Sequence, residues 1–135
     1  MPTSLTVKRR VSAAPARVFQ AWTDPEQFKK WFLTDRIIMH AGVDGLFWWN
    51  TRFEGKVWPH YGRWLKQEKP RLLELTWMSE ATAGLESIVR VELQPDGSGT
   101  AITLTHSNLP DEESRGQHEE GWKQILATLD DLRPA

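Results

Sequence analysis

The sequence predicts an α+β fold in which a long C-terminal helix lies in the concave face of a curved antiparallel sheet. Between residues 36 and 109, apolar residues repeat mainly with a period of two, which is typical of strands that bury one face. Residues 112–132 instead place His118, Trp122 and Leu126 on one helical stripe. An apolar sheet face and an apolar helix stripe each need a partner, so we expect them to pack together and leave a cavity.

The first part of the chain predicts one strand followed by two short helices. Residues 4–11 alternate weakly and are rich in β-branched side chains. Pro15 lies where the first turn of a helix tolerates proline, and the apolar residues after it have helical spacing. Asp24 and Pro25 then restart the chain as the N-cap and the first residue of a second helix.

The middle of the chain predicts a run of antiparallel strands. The extended segments are residues 37–39, 46–53, 57–67, 73–77, 87–93 and 101–106. The stretch PDGSG at 95–99 has the composition of a hairpin turn, and Pro59 indicates an edge or a bulge in the third segment. Residues 1–135 are therefore predicted to form a single domain.

The composition excludes several classes of function. There are no cysteines, so disulfides and thiol chemistry cannot occur. A net charge of -1 argues against nucleic acid as a partner, and no apolar run approaches the ~20 residues of a membrane span. The N-terminus lacks a signal-peptide core, so we expect a soluble, cytoplasmic protein. The HEEG stretch lacks the second histidine of an HExxH zinc site, so neither a metal nor a cofactor is expected.

Four stretches together resemble a known family. They are VSAAPARVFQAWTDPEQFKKWF at 11–32, RLLELTW at 71–77, VRVELQPDGSGTAITLTHSNLPDE at 89–112 and HEEGWKQILATLDDL at 118–132. In this order they resemble the SRPBCC (START-like, Bet v 1-like) superfamily and, within it, the homologues of the activator of heat-shock protein 90 ATPase. The resemblance implies the helix-grip fold with a ligand cavity. The superfamily includes lipid carriers, hormone receptors, polyketide cyclases and co-chaperones, so the fold does not fix an activity.

Two histidines are candidate polar groups of the expected cavity. His106 is in phase with the apolar residues of its strand, and His118 shares the helical stripe of Trp122, so both should point inward. Imidazoles titrate near neutral pH, so the pair could orient a ligand or act as acid and base. The alternative is that each makes one hydrogen bond and only shapes the fold.

An aromatic and aliphatic set is in phase with the same inward face and could line an apolar, ligand-binding pocket. Its members are Phe47, Trp49, Phe53, Leu75, Trp77, Val89 and Trp122. The mouth of the pocket has further candidates, because Pro59 obscures the phase of their strand: Trp58, His60, Tyr61 and Arg63. The alternative for each member of the set is ordinary core packing.

Trp48 and Trp64 are predicted to form an aromatic cluster on the outer face of the sheet. Adjacent strand residues point to opposite faces, so Trp48 is expected outside if Trp49 is inside, and Trp64 is assigned to the same outer face. Such a cluster could brace the sheet, form the interface of a homodimer or bind another protein partner.

These patterns predict that the protein binds a small hydrophobic or aromatic molecule between the sheet and the C-terminal helix. Two alternatives stay open: an enzyme of cyclase, dehydratase or hydrolase type that uses a cavity histidine, and a co-chaperone-like interaction module. The cavity could be open, or it could be filled by the protein's own tryptophans.

Overall fold

A computed structural model describes residues 3–32 and 34–129, and it has the predicted α+β architecture. The strands are β1 (Thr3–Val11), β2 (Thr34–Met39), β3 (Leu46–Phe53), β4 (Lys56–Glu68), β5 (Leu72–Ser79), β6 (Ser87–Asp96) and β7 (Gly99–Leu109). The helices are α1 (Pro15–Thr23), α2 (Pro25–Trp31) and α3 (Glu112–Thr128), with a 3-10 turn at Glu80–Thr82. The predicted continuation of the last helix over 130–132 lies outside the described residues. Within the described ranges, no helix is long and apolar enough to cross a membrane.

The seven strands form one antiparallel sheet in the order β1-β7-β6-β5-β4-β3-β2. Each strand from β2 to β6 pairs with the next along the chain, and β1 pairs with β7. Helix α3 packs on β1 and β7, whereas α2 packs on β2. The curved sheet therefore holds α3 on its inner face, which is the helix-grip fold that was predicted.

Helix α3 buries the stripe that the sequence indicates. Its buried residues are Ser114, His118, Trp122 and Leu126, each four positions after the last, so they lie on one side of the helix. The side chain of Asp111 caps the helix by accepting a hydrogen bond from the backbone N–H of Ser114 at 2.8 Å. The cap fixes where the helix starts, and so which side chains reach the sheet.

The phase of β4 differs from the prediction and places Trp64 in the core. The register pairs Trp49 with His60, so the even-numbered residues from His60 to Trp64 share the inward face with Trp49. Trp64 is 1% exposed. The prediction that Trp64 joins Trp48 in an outer cluster is therefore wrong.

The face of Trp64 was predicted wrongly because the irregularity of β4 does not lie at Pro59. Strand β5 ends at Ser79, opposite His60, so Pro59 lies past the end of β5 and its missing N–H leaves no β5 carbonyl unpaired. The alternation therefore runs through Pro59 without a break. The shift in register occurs later, between Trp64 and Lys66.

Candidate binding site

The space between the sheet and α3 is filled by aromatic rings. Trp77 lies at its centre, and its ring centroid is 5.2 Å from that of Trp49 and 4.9 Å from that of Trp122. Phe32 contacts all three, and none of the four side chains is more than 3% exposed. Of the two alternatives that the sequence left open for the cavity, the structure therefore shows an interior occupied by the protein's own side chains. A groove of about 670 Å³ lies elsewhere, beside α1.

Most of the predicted pocket residues do meet in this interior. The buried members are Phe47, Trp49, Leu75, Trp77, Val89, His106, His118 and Trp122. The side chain of Phe53 lies outside the described part of the structure. Their inward orientation agrees with the prediction, and their role in binding a ligand remains a prediction.

Tyr61 and Arg63 lie on the opposite face of the sheet. Tyr61 pairs with Trp48 on β3 and is 46% exposed. Arg63 forms an exposed ion pair with Asp44 at 3.2 Å. The prediction that these two residues line the mouth of the interior is wrong, because the alternation along β4 turns its odd-numbered residues outward.

His106 is held as a neutral imidazole by its hydrogen bonds. The indole N–H of Trp122 donates to His106 Nδ1 at 3.0 Å, so Nδ1 carries no proton. Nε2 therefore carries the proton and donates to Ser87 Oγ at 2.7 Å, and the Ser87 hydroxyl donates to the carbonyl of Trp77 at 2.5 Å. Burial, and then the two neighbouring imidazoles, lower the pKa of His106 well below its usual value. Both ring nitrogens are occupied, so His106 has no lone pair for a ligand.

His60 and His118 have the opposite arrangement. The Nδ1–H of His118 donates to the carbonyl of Ser114 at 2.7 Å, and the Nδ1–H of His60 donates to the carbonyl of Trp58 at 2.9 Å. A carbonyl can only accept, so Nδ1 carries the proton and Nε2 of each neutral ring has a lone pair. Burial lowers the pKa of His60 to about 4 and also lowers that of His118. Both side chains therefore offer a hydrogen-bond acceptor near neutral pH.

Trp77 connects the three imidazoles into a row. The ring centroids are 5.0 Å apart for His60 and Trp77, 5.9 Å for Trp77 and His106, and 4.8 Å for His106 and His118. We call these four residues the imidazole row. It crosses the interior from β4 to α3, with an unprotonated Nε2 at each end. Across residues 3–32 and 34–129, no three histidine or acidic side chains are arranged to hold a metal ion.

Several buried donors near the β4 end of this row have no protein acceptor. The indole N–H groups of Trp49, Trp58 and Trp77 have none among the described residues, and the hydroxyl of Thr51, opposite Trp58, is also without a partner. An unpaired buried donor costs about 1–3 kcal/mol, so native interiors contain few of them. Two more unpaired indole donors, on Trp22 and Trp64, lie elsewhere in the interior. The three donors nearest His60, together with the hydroxyl of Thr51, mark this end of the interior as the candidate binding site.

The sequence named His60 as a candidate for the mouth of the pocket but did not assign the face of its side chain. The signal that assigns the face is the two-residue turn Glu54-Gly55, whose residues have φ values of 51° and 77°, as expected for a tight hairpin. Counting outward from this turn pairs Trp49 with His60 directly. An uninterrupted hairpin register would have assigned both side chains to one face.

The outer face carries an apolar row instead of the predicted pair of tryptophans. Ile38, Trp48, Tyr61 and Met78 pair in succession across β2, β3, β4 and β5. Ile38 is 54% exposed, and the guanidinium of Arg36 lies 5.7 Å from the centroid of the Trp48 ring. We call these four apolar residues the outer row. It reaches β2, the last strand in the sheet order.

The sequence matches the family model described as Activator of Hsp90 ATPase homolog 1-like protein over residues 12–133, which is most of the chain. A search of functionally curated proteins finds no significant match.

Several solved structures share the fold. CalU16 from Micromonospora echinospora is 27% identical with a TM-score of 0.74, and the match covers 93% of this chain and 73% of that chain. Mll3558 from Rhizobium loti is 20% identical with a TM-score of 0.81 and 96% of each chain covered. PFC0360w from Plasmodium falciparum, described as an HSP90 activator, is 20% identical with a TM-score of 0.78, covering 94% of this chain and 93% of that chain. At 20% identity, the last two show the fold alone.

Proposed function

Because the chain belongs to the family of Activator of Hsp90 ATPase homolog 1-like proteins, we propose that it binds a small hydrophobic or aromatic molecule between the sheet and α3. The superfamily around this family commonly binds hydrophobic ligands. The observation that carries the proposal is the set of buried indole donors without protein acceptors, on Trp49, Trp58 and Trp77. A ligand oxygen would give such a donor a partner, while the ligand's apolar body replaces ring contacts.

A ligand has to displace side chains, because the interior is filled. The rim beside Trp58 is closed by Lys56, whose ammonium lies 4.2 Å from the Trp58 ring centroid and 2.8 Å from the carboxylate of Glu80. Both charged side chains are at least half exposed, and exposed ion pairs contribute about 0–1 kcal/mol. Breaking this ion pair to open the rim therefore costs little free energy. A flat aromatic ligand suits the interior best, because it restores ring contacts worth about 0.5–1.5 kcal/mol each.

Indole N–H signals in NMR spectra test the proposal. On titration with fatty acids, flavonoids and aromatic polyketides, we expect saturable shifts of the Trp49, Trp58 and Trp77 signals, because these donors lie at the site. Trp48 on the outer face is the internal control and should not move. Single Trp→Phe variants assign the signals. If no member of the library shifts any inward indole, the proposed function is wrong.

An acid–base enzyme at the same site is the second candidate, and one observation favours it. Nε2 of His118 and of His60 each has a lone pair that could accept a proton from a substrate, whereas both nitrogens of His106 are engaged. Mass spectrometry of each ligand after incubation distinguishes the candidates, since a carrier returns its ligand unchanged.

We also propose that the outer row is the interface of a homodimer, since it places apolar side chains on four adjacent strands, with Ile38 and Tyr61 exposed and Trp48 and Met78 partly exposed. Light scattering is expected to show a dimer for the natural protein and a monomer for Trp48→Ser, because the substitution removes the largest ring of the row. Thr103→Ser, on β7, is the matched control and should stay dimeric. A natural protein that is monomeric at all concentrations would contradict this proposal.

A further inference from the structure

We propose that the site at the imidazole row selects neutral ligands that carry a hydroxyl group and excludes carboxylates, an inference that rests on the proposed binding function. Its basis is the pattern of hydrogen-bond donors and acceptors that the protein leaves open at the two ends of the row. That pattern is set by backbone carbonyls, which fix the proton of each outer imidazole.

The open acceptors require a ligand that donates. Nδ1 of His118 is committed to the carbonyl of Ser114, and Nδ1 of His60 to the carbonyl of Trp58, so Nε2 is an acceptor in both rings. A hydroxyl donates its proton to such a nitrogen and still accepts from an indole N–H, such as that of Trp77. A carboxylate cannot donate, and it would place its negative charge against the imidazole lone pair.

The charged side chains around the row already have partners. Neighbouring imidazoles are the ionisable groups that lower the pKa of His60 and His106, and burial lowers that of His118. Arg9 on β1 faces inward, pairs in register with Ile102, four residues along β7 from His106, and has an interaction partner of its own. At the rim, Lys56 is paired with Glu80. On the outer side of α3, Arg115 is held by Glu112 and Glu119 at 2.6 and 2.7 Å. A buried carboxylate without a cation is strongly disfavoured, whereas a neutral hydroxyl is not.

Three probes of the same shape separate these effects: 2-naphthol, naphthalene and 2-naphthoate, each titrated into the whole protein at about pH 7.5 with indole NMR as the readout. We expect 2-naphthol to bind about fivefold more tightly than naphthalene, because it adds one hydrogen bond to a neutral nitrogen. We expect 2-naphthoate to bind at least about thirtyfold more weakly than 2-naphthol, because its charge loses hydration without a partner.

A substitution at the β4 end of the row, where the unpaired indole donors lie, assigns the acceptor. His60→Phe keeps a ring and removes Nε2, so 2-naphthol should lose its fivefold advantage while naphthalene binds as before. His40→Phe, at an exposed histidine, is the matched control. If His60→Phe does not fold, His118→Phe replaces it at the other end, and the comparison of the three probes on the natural protein still tests the selectivity.

The outcomes separate the two proposals. If all three probes bind equally, or 2-naphthoate binds best, the selectivity is wrong and the binding function stands. If none of the probes and no member of the larger library binds, the binding function is wrong and the selectivity falls with it.

Discussion

Replacement of His106 by alanine is expected to lower the free energy of unfolding by about 4 kcal/mol, measured by urea denaturation. The ring is 0% exposed and packs between β7 and α3, so its removal leaves a cavity, and comparable truncations cost about 2–5 kcal/mol. The indole N–H of Trp122 also loses its acceptor, which adds about 1–3 kcal/mol. The loss is a large fraction of the 5–15 kcal/mol that stabilises a typical domain.

A second substitution separates the destabilisation caused by the lost volume from that caused by the lost hydrogen bond. His106→Leu keeps most of the volume, so its effect reports the unpaired indole. Adding Trp122→Phe removes that indole donor. The loss of unfolding free energy in the double variant should therefore be smaller than the sum of the losses in the two single variants. His40→Ala, at an exposed position, is the control and should change stability by less than about 0.5 kcal/mol. A similarly small effect of His106→Ala would show that the assigned network does not hold the core.

The elements and the inward faces of most strands were predictable because each depends on local periodicity. The α3 stripe follows from spacing alone, since His118, Trp122 and Leu126 recur every four residues and have one face to bury. The pairing of His106 with Val89 likewise matches two alternating strands whose apolar residues share a face. Local pattern was sufficient wherever a segment had one buried side.

The filling of the interior was not predictable, because it depends on volumes contributed from distant segments. Trp49 and Trp77 come from the sheet, but the space between them and α3 is also filled by Phe28, in the middle of α2, and by Phe32, just after its end. How far α2 reaches inward is set by its packing on β2, which no sequence period encodes. The protons on His60 and His118 are fixed by backbone carbonyls at particular distances, so they also required the structure.

Lowering the pH from about 7.5 to about 5 is expected to destabilise the protein, with the three buried imidazoles as the cause. Burial lowers the pKa of His60 to about 4 and lowers the pKa of His106 and of His118, whereas an unfolded histidine titrates near 6.5. Below about pH 6.5 the unfolded chain therefore binds more protons than the folded protein. The stabilisation is complete above that pH and is lost as the pH falls toward the folded-state pKa values. His60, which is partly exposed, contributes about 1–2 kcal/mol of this loss, and the other two add to it.

Urea denaturation across this range, with two matched variants, tests the cause. His60→Gln should make the dependence of stability on pH shallower, whereas His40→Gln should leave it unchanged. The exposed carboxylates of Glu112 and Glu119, whose pKa values are lowered by hydrogen bonds to Arg115 and to Lys123, lose their contribution only below about pH 4.5, outside the window. Stability that stays constant down to about pH 5 would mean that the imidazoles do not remain neutral when the chain folds. Nε2 of His118 would then carry a proton, and the reason for expecting a hydroxyl-bearing ligand would fall with it.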